Sequence, residues 1–201
     1  MYPLKSYLAL GDSYTIGEQV LIKDSFPYQL VQLLRNKSLL FGAPEIIAKT
    51  GWTTDELLAG IEAIELLPGY DLVTLLIGVN NQYRGRATEN YANEFSVLLK
   101  MAIQFALDKP QQVVVLSIPD WGVTPFATGR NRQEISEKID AFNSINSSIA
   151  LDYGVHYLDI TAGAREAAFR NDLVAADGLH PSSIEYARWA EHISAILVPA
   201  R

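Results

Sequence analysis

Three polar residues at the two ends of the chain have the types that acyl transfer requires. Ser13 follows a short apolar run that stops at a glycine, and His180 lies near the other end of the sequence. A serine hydroxyl can attack an acyl carbonyl, and a histidine can remove the hydroxyl proton and return it to the leaving group. Asp177 can bind the far imidazole nitrogen, which fixes the tautomer and stabilises the imidazolium. These residues predict a nucleophilic serine with a histidine base.

Donors for a developing oxyanion are also available. The backbone N–H groups of Ser13 and Gly51 and the side-chain amide of Asn80 can be directed at the oxygen of a tetrahedral intermediate. A glycine at position 51 lets the backbone approach a substrate without an intervening side chain. The sequence therefore predicts an oxyanion hole made of Ser13, Gly51 and Asn80.

Strand-like and helix-like patterns alternate along the whole chain. The apolar runs predicted as strands cover residues 7–10, 45–48, 72–77, 112–118 and 155–158. The last helix is predicted to start near Ser182, where Glu185 has capping-box spacing. Its predicted buried face consists of Ile184, Ala187, Ala190, Ile193 and Leu197. The alternation predicts one α/β domain over residues 1–201, with a five-stranded parallel sheet between two helical layers.

The predicted strands bring the candidate residues to one edge of the sheet. In a sheet of order 2-1-3-4-5, the first and third strands are neighbours where the strand order reverses, and ligands bind at such a point. Ser13 and Asn80 then face each other across one crevice, with Gly51 on its flank. Asp12 is interpreted as a carboxylate that fixes the turn before Ser13 rather than as a second catalytic acid.

The composition excludes several classes of function. The 16 Lys and Arg residues against 23 Asp and Glu residues give a net charge of −7, and no basic cluster indicates nucleic-acid binding. The absence of cysteine excludes disulfides, Cys-ligated metals and thiol catalysis. No apolar stretch approaches the roughly 20 residues that span a bilayer. We expect a cytoplasmic protein without integral membrane association, or a periplasmic or secreted one from which a signal has been removed.

Four segments of the chain resemble the conserved blocks of the SGNH (GDSL-like) hydrolase superfamily. They are Gly11-Asp12-Ser13-Tyr14, Thr50-Gly51-Trp52-Thr53-Thr54, Gly78-Val79-Asn80-Asn81 and Asp177-Gly178-Leu179-His180-Pro181. They occur in the family's order and span nearly the whole chain. At position 81 the family usually has aspartate, whereas this chain has Asn81. The difference affects the hydrogen bonding of the loop and leaves Asn80 unchanged.

The resemblance implies a flavodoxin-like three-layer fold and hydrolysis of esters or thioesters without a metal or other cofactor. It also implies that the substrate is a small-molecule ester. No Gly-x-Ser-x-Gly segment occurs, which argues against the α/β-hydrolase fold.

Aromatic side chains near the four motifs are candidates for a substrate pocket. They are Tyr14, Trp52, Tyr83, Trp121 and Phe126. The long loop over residues 120–132 could cover the site, and its glycines would permit movement. Two substrate classes remain open, a small acyl ester such as an O-acetyl sugar and a long-chain ester of the lysophospholipid type.

A rival interpretation is a non-catalytic, flavodoxin-like domain that binds a phosphate or another small molecule at residues 11–15. Helix N-termini attract anions, and this turn offers several donors. The rival gives no role to Asp177 and His180, and the chain lacks a Gly-x-Gly-x-x-Gly or Walker pattern. A scaffold that has lost catalysis is a further alternative, against which the intact set of motif residues argues.

Overall fold

The apolar runs form one parallel β-sheet of the predicted strand order. The computed structural model describes residues 4–198. The sheet has the order β2-β1-β3-β4-β5, and each neighbouring pair of strands is parallel. The strands are β1 (Tyr7–Asp12), β2 (Glu45–Lys49), β3 (Leu72–Leu76), β4 (Val113–Leu116) and β5 (His156–Leu158). The predicted fold class and strand order are therefore confirmed.

The helices cover this sheet in two groups. They are α1 (Ser13–Ile16), α2 (Phe26–Asn36), α3 (Thr54–Glu62), α4 (Val79–Tyr83), α5 (Thr88–Phe105), α6 (Arg132–Asp152), α7 (Thr161–Ala164) and α8 (Ser183–Leu197). Helix α2 packs on α8, whereas α5 packs between α3 and α6. Among residues 4–198, no helix has the length and hydropathy needed to cross a membrane.

The burial of each strand follows its place in the sheet. Every residue of the central strands β1, β3 and β4 is buried, whereas the edge strands β2 and β5 are mostly half-buried. A strand covered by helices on both faces must be apolar at successive positions, since neither face meets water. This requirement explains why the central strands read as continuous apolar runs rather than as alternating patterns.

The carboxyl end of β1 requires a glycine. Gly11 is paired in register with Leu76 of β3, and α1 folds back over the strand end. A Cβ atom at position 11 would lie 2.4 Å from the Leu76 carbonyl oxygen and 2.1 Å from the Thr15 hydroxyl oxygen. The close approach of α1 to the neighbouring strand therefore excludes a side chain here.

Two local predictions differ from the structure. Strand β4 is shorter than predicted at both ends, since residues 110–112 form a 3₁₀ turn that starts at Pro110 and the strand ends at Leu116. Ser182 precedes α8 as predicted, but its hydroxyl donates to the Asp172 carbonyl oxygen at 2.6 Å. The Glu185 carboxylate instead accepts a hydrogen bond from the Trp189 indole at 2.8 Å. The predicted capping box is therefore replaced by tertiary and i,i+4 hydrogen bonds.

The buried face of α8 includes the predicted Ala190 and Ile193 but is shifted from the predicted one at its start. Ile184, predicted to be buried, is 47% exposed, whereas Tyr186 and Trp189 are fully buried. Both rings pack against Phe26 of α2, with ring centroids 6.4 and 6.0 Å from it. The larger rings bury more apolar area than an isoleucine does, and they determine which face of α8 turns inward.

We expect Trp189→Ala to lower the free energy of unfolding by about 3–5 kcal/mol, because it removes a fully buried ring from the α2–α8 interface. Ile184→Ala on the same helix is the control and is expected to cost less than about 1 kcal/mol, since Ile184 is largely exposed. Urea unfolding followed by circular dichroism measures both values. Equal losses in the two variants would contradict the observed orientation of α8.

Candidate active site

Ser13 lies in the tight turn that follows β1. Asp12 is the N-cap of α1, and its Oδ1 atom accepts a hydrogen bond from the Tyr14 backbone N–H at 3.0 Å. Helix α1 ends after one turn at Gly17, whose N–H donates to the Ser13 carbonyl oxygen. Both ends of the turn are thus fixed by hydrogen bonds. The Ser13 side chain is held at the carboxyl edge of the sheet, in a residue that is only 4% exposed.

His180 connects Ser13 with Asp177. Its Nε2 atom lies 2.9 Å from Ser13 Oγ, and its Nδ1 atom lies 2.6 Å from Asp177 Oδ2. The carboxylate can only accept at Nδ1 when ionised, so the neutral ring carries its proton there and Nε2 is left to accept the serine proton. The structure therefore joins the three residues in one hydrogen-bonded path.

The loop that carries Asp177 and His180 holds both side chains in place. Asp177 Oδ1 accepts hydrogen bonds from the backbone N–H groups of Leu179 and His180, each at 3.0 Å. The His180 carbonyl oxygen accepts from the N–H of Ala175 at 2.8 Å, which closes the loop. The Tyr14 ring packs beside the imidazole, with ring centroids 5.0 Å apart. These contacts fix the imidazole between nucleophile and carboxylate.

The hydrogen bonds to Asp177 keep its carboxylate ionised. Partial burial opposes ionisation, but the bonds from the His180 ring and from the two backbone N–H groups outweigh it and lower the pKa of Asp177. An ionised Asp177 can stabilise the imidazolium that forms when His180 takes a proton.

Asn80 lies on α4 and faces Asp12 across the neighbouring strand ends. Its Nδ2 atom donates to Asp12 Oδ2 at 3.2 Å and to the backbone carbonyl oxygen of Trp52 at 3.0 Å. Both amide protons thus have acceptors within the protein. An oxyanion in the crevice would share or replace one of these acceptors.

Asp12 is a fully buried carboxylate that has no ion pair with a cation anywhere in residues 4–198. Burial raises its pKa to about 7, and the hydrogen bonds from Tyr14 and Asn80 offset only part of this effect. Asp12 fixes the turn before Ser13, as its place in the sequence predicts. Its contact with Asn80 was not predicted, although the adjacency of the first and third strands was a signal for it.

Asn81, the departure from the family pattern, anchors the start of α3. Its Oδ1 atom accepts from the Thr54 backbone N–H at 3.1 Å, and its Nδ2 atom donates to the Thr54 hydroxyl at 2.6 Å. The residue before α4, Gly78, has φ of +134°, and a Cβ atom there would lie 2.7 Å from the Tyr91 ring. Through its acceptor and its donor, the buried Asn81 amide therefore joins α4 to the start of α3.

A cavity of about 170 Å³ opens beside Ser13 and His180. Gly51, which has φ of +83°, and Asn80 also line it, and most of the other lining side chains are apolar or aromatic. The full set is Ser13, Tyr14, Thr50, Gly51, Val79, Asn80, Tyr83, Trp121, Phe126, Leu179 and His180. The cavity thus brings together the four motifs and most of the predicted aromatic residues.

Trp52 is the one aromatic candidate that does not line this cavity. Its ring packs over Gly60 of α3, where a Cβ atom would lie 2.3 Å from the indole. Only its backbone carbonyl reaches the site, through Asn80. The absence of a side chain at Gly60 lets α3 accept the indole, a tertiary contact with no signal in the local sequence.

The long loop after β4 borders the cavity and is tied to its surroundings. Asp120, at the start of the loop, accepts from the Gly122 N–H at 2.8 Å and pairs with Arg165 at 2.9 Å. The Phe126 N–H donates to the Gly178 carbonyl oxygen at 2.9 Å, next to Asp177. The loop is therefore connected directly to the segment that carries His180.

Metal ligation is not suggested by the side chains within residues 4–198. No three His, Asp or Glu side chains in this part of the chain converge as they would around a metal ion. The side chains of Asp177 and His180, two possible metal ligands, are hydrogen-bonded to each other.

The fold and the four motifs together agree with comparisons to known proteins. The family model of the GDSL-like lipase/acylhydrolase family matches residues 9–188. The chain belongs to the GDSL-like lipase/acylhydrolase family and is therefore an ester hydrolase by class. No curated protein matches the chain significantly by sequence.

Solved structures show the same fold over nearly the whole chain. TesA has 20% sequence identity and a TM-score of 0.74, and the match covers 97% of this chain and 99% of TesA. Axe2, an acetylxylan esterase from Geobacillus stearothermophilus, has 16% identity and a TM-score of 0.77, with coverage of 98% and 95%. A lipolytic protein of the G-D-S-L family from Veillonella parvula has 17% identity and a TM-score of 0.71, with 98% of each chain covered.

We expect Asp12→Asn to remove a pH-dependent loss of stability. The unfolded Asp12 carboxyl ionises near pH 4, whereas the folded one keeps its proton until about pH 7. Because the folded state binds more protons between these values, this group lowers the free energy of unfolding as the pH rises from about 4 to about 7. The stability of Asp12→Asn relative to the unmodified protein should therefore increase, by up to about 4 kcal/mol, from pH 4 to pH 8.

Urea unfolding at both pH values measures this difference, and Asp71→Asn provides a control whose pKa shift has the opposite sign. Partial burial opposes ionisation of Asp71, but hydrogen bonds from Ser6 and Lys5 outweigh it and lower its pKa. The relative stability of Asp71→Asn should therefore fall as the pH rises through the acid range to about pH 4 and change little from there to pH 8. A relative stability of Asp12→Asn that is constant with pH would show that the Asp12 pKa is unshifted.

Proposed function

We propose that this ester hydrolase works through an acyl-enzyme formed on Ser13, with His180 as the base and Asp177 as the residue that orients it. The observation that carries the proposal is the continuous path from Ser13 Oγ through both imidazole nitrogens to the Asp177 carboxylate. The path opens onto a cavity large enough for a small ester group. An unreactive structural serine would not need a base at hydrogen-bond distance.

The reaction proceeds in two steps, acylation and deacylation of Ser13. Ser13 Oγ bonds to the carbonyl carbon of the ester while its proton passes to His180 Nε2, giving a tetrahedral oxyanion. Collapse of this intermediate breaks the bond to the alcohol oxygen, which takes the proton from His180 and leaves. Water then attacks the acyl-Ser13 ester, passes its proton to His180, and releases the carboxylic acid as Ser13 recovers its proton.

The oxyanion is stabilised by donors on three segments. We assign this role to the backbone N–H groups of Ser13 and Gly51 and to the amide of Asn80, all of which line the cavity. Asn80 already donates to Asp12 and Trp52, so its position is fixed before substrate binds. Because both amide protons are already bonded, the oxyanion must share or replace one of these two acceptors when the charge develops.

The cavity favours an ester with an apolar acyl or aryl group. Leu179, Val79 and four aromatic side chains supply most of its wall, and His180 is its only titratable side chain besides the two tyrosines. Both substrate classes stay in the proposal, a small acyl ester such as an O-acetyl sugar and a lysophospholipid-like ester. The acetylxylan esterase Axe2, which shares the fold, supports the first, and the apolar wall supports the second.

Hydrolysis of p-nitrophenyl esters from acetyl to long acyl chains tests the mechanism. Ser13→Ala is expected to lower kcat on the order of 10⁴-fold or more, because no nucleophile remains beside His180. Ser148→Ala, an exposed serine on α6, is the matched control and should retain full activity. A fluorophosphonate probe should label the unmodified protein but not Ser13→Ala. No turnover and no labelling would overturn the proposal and favour the ligand-binding alternative.

Asp177→Asn tests the orienting role separately from the nucleophile. The amide cannot hold the proton on Nδ1 as a carboxylate does and cannot stabilise the imidazolium, so kcat should fall by about 10²- to 10⁴-fold. KM should change much less, since Asp177 does not line the cavity. Steady-state kinetics on one p-nitrophenyl ester measures both. An unchanged kcat would assign the orienting role to another group.

A further inference from the structure

Three aromatic rings at one side of the cavity surround the guanidinium group of Arg130. The Arg130 Cζ atom lies 5.3 Å from the ring centroids of Tyr83, Trp121 and Phe126 alike. The rings also contact one another, with centroid distances of 5.3, 6.3 and 6.0 Å. We call Tyr83, Trp121 and Phe126 the aromatic wall.

The aromatic wall separates two spaces. One side of it belongs to the cavity that contains Ser13 and His180. Tyr83 and Trp121 also border an adjacent groove, which is lined by Arg130, Glu134 and other residues but not by the catalytic candidates. Arg130 therefore contacts the wall from the groove, while a substrate would contact it from the cavity.

The wall is assembled from separate parts of the chain. Tyr83 ends α4, the helix that carries Asn80, whereas Trp121 and Phe126 belong to the loop after β4. The Trp121 indole donates to Gln82 Oε1 at 2.7 Å, which fixes this ring from behind. Tyr83 and Phe126 are 45% and 39% exposed, so they have less packing to hold them than Trp121, which is 4% exposed.

Arg130 adds a contact to Tyr83 and Phe126 beyond the contacts that the three rings make with one another. Its Nη2 atom donates to the Tyr83 hydroxyl at 3.2 Å, and its backbone N–H donates to the Ala127 carbonyl oxygen at 3.0 Å. Within residues 4–198 the Arg130 guanidinium forms no ion pair with a carboxylate. Its side chain is therefore positioned by the rings, through cation–π and stacking contacts.

We propose that Arg130 is a positioning residue that fixes the aromatic wall and thereby sets the preference of the enzyme for ester groups long enough to reach it. This inference rests on the proposed esterase function. Without Arg130, only the contacts among the rings hold the exposed Tyr83 and Phe126, and an extended apolar group packs on a less defined surface. A two-carbon acyl group close to Ser13 makes little use of that surface.

The test compares short and extended esters in matched variants. Arg130→Ala should lower kcat/KM for p-nitrophenyl hexanoate by about five- to tenfold and that for p-nitrophenyl acetate by less than about twofold. The loss should lie mainly in KM, because the wall contacts the substrate equally in the ground and transition states. A parallel series of acetate esters of longer alcohols covers the case in which the alcohol lies on the wall.

Two further variants separate positioning from the loss of a charge. Arg130→Lys keeps the cation but not the planar stacking group, and it should recover part of the hexanoate activity. Lys138→Ala removes a neighbouring cation on α6, whose partner is Glu134 rather than a ring, and should leave the hexanoate-to-acetate ratio unchanged.

The indole N–H signals of the three tryptophans give a readout that does not depend on catalysis. Trp121→Phe assigns the Trp121 signal in a ¹⁵N–¹H spectrum. Arg130→Ala should shift this signal, because the cation and the neighbouring rings move, and should leave the buried Trp189 signal in place. A shift confined to Trp121 also shows that the variant is folded.

An unchanged ratio of hexanoate to acetate kcat/KM in Arg130→Ala, in both ester series, would overturn the inference. An equal loss on short and extended esters would overturn it too, since that result indicates a general structural role. Either outcome leaves the esterase mechanism intact if the unmodified protein turns over esters and is labelled at Ser13. Failure of the unmodified protein in both assays would instead overturn the proposed function.

Discussion

The buried carboxylate of Asp12 is the constraint on which the arrangement of the site depends. One of its oxygens caps the turn that carries Ser13, and the other accepts a hydrogen bond from Asn80 on the adjacent strand end. Burial of an unpaired carboxylate is unfavourable, and it raises the pKa of Asp12 to about 7. This destabilising group joins the candidate nucleophile to the candidate oxyanion donor. Functional sites commonly carry such a cost in stability.

The remaining parts of the site are attached to this pair by loops, one after β4 and one before α8. His180 reaches Ser13 because its loop is closed by internal hydrogen bonds, and the loop after β4 is bonded to it through Phe126 and Gly178. A rigid parallel sheet therefore supplies the positions, whereas the loops at its carboxyl edge supply the chemistry. This chain shares the fold with solved structures at only 16–20% sequence identity.

Much of the fold was predictable because it depends on short-range patterns. Continuous apolar runs identified the central strands, and the parallel order followed from alternating strands and helices. The buried face of α8 was predicted correctly at Ala190 and Ile193 but wrongly at Ile184, since apolar spacing alone treats Ile184 and Trp189 as comparable. Packing against Phe26 determined the orientation, and this contact joins helices that are distant in the sequence.

By itself, the sequence determined which residue types could perform acyl transfer and which strand ends carry them, because motifs and hydrophobic runs are local. The tertiary structure decided what those residues touch. It directed the Asn80 amide toward Asp12, placed the Trp52 ring on α3 rather than in the cavity, and set Arg130 against the aromatic wall. The Asn80–Asp12 contact joins segments far apart in the chain, and the geometry of all three contacts depends on how closely the neighbouring elements pack.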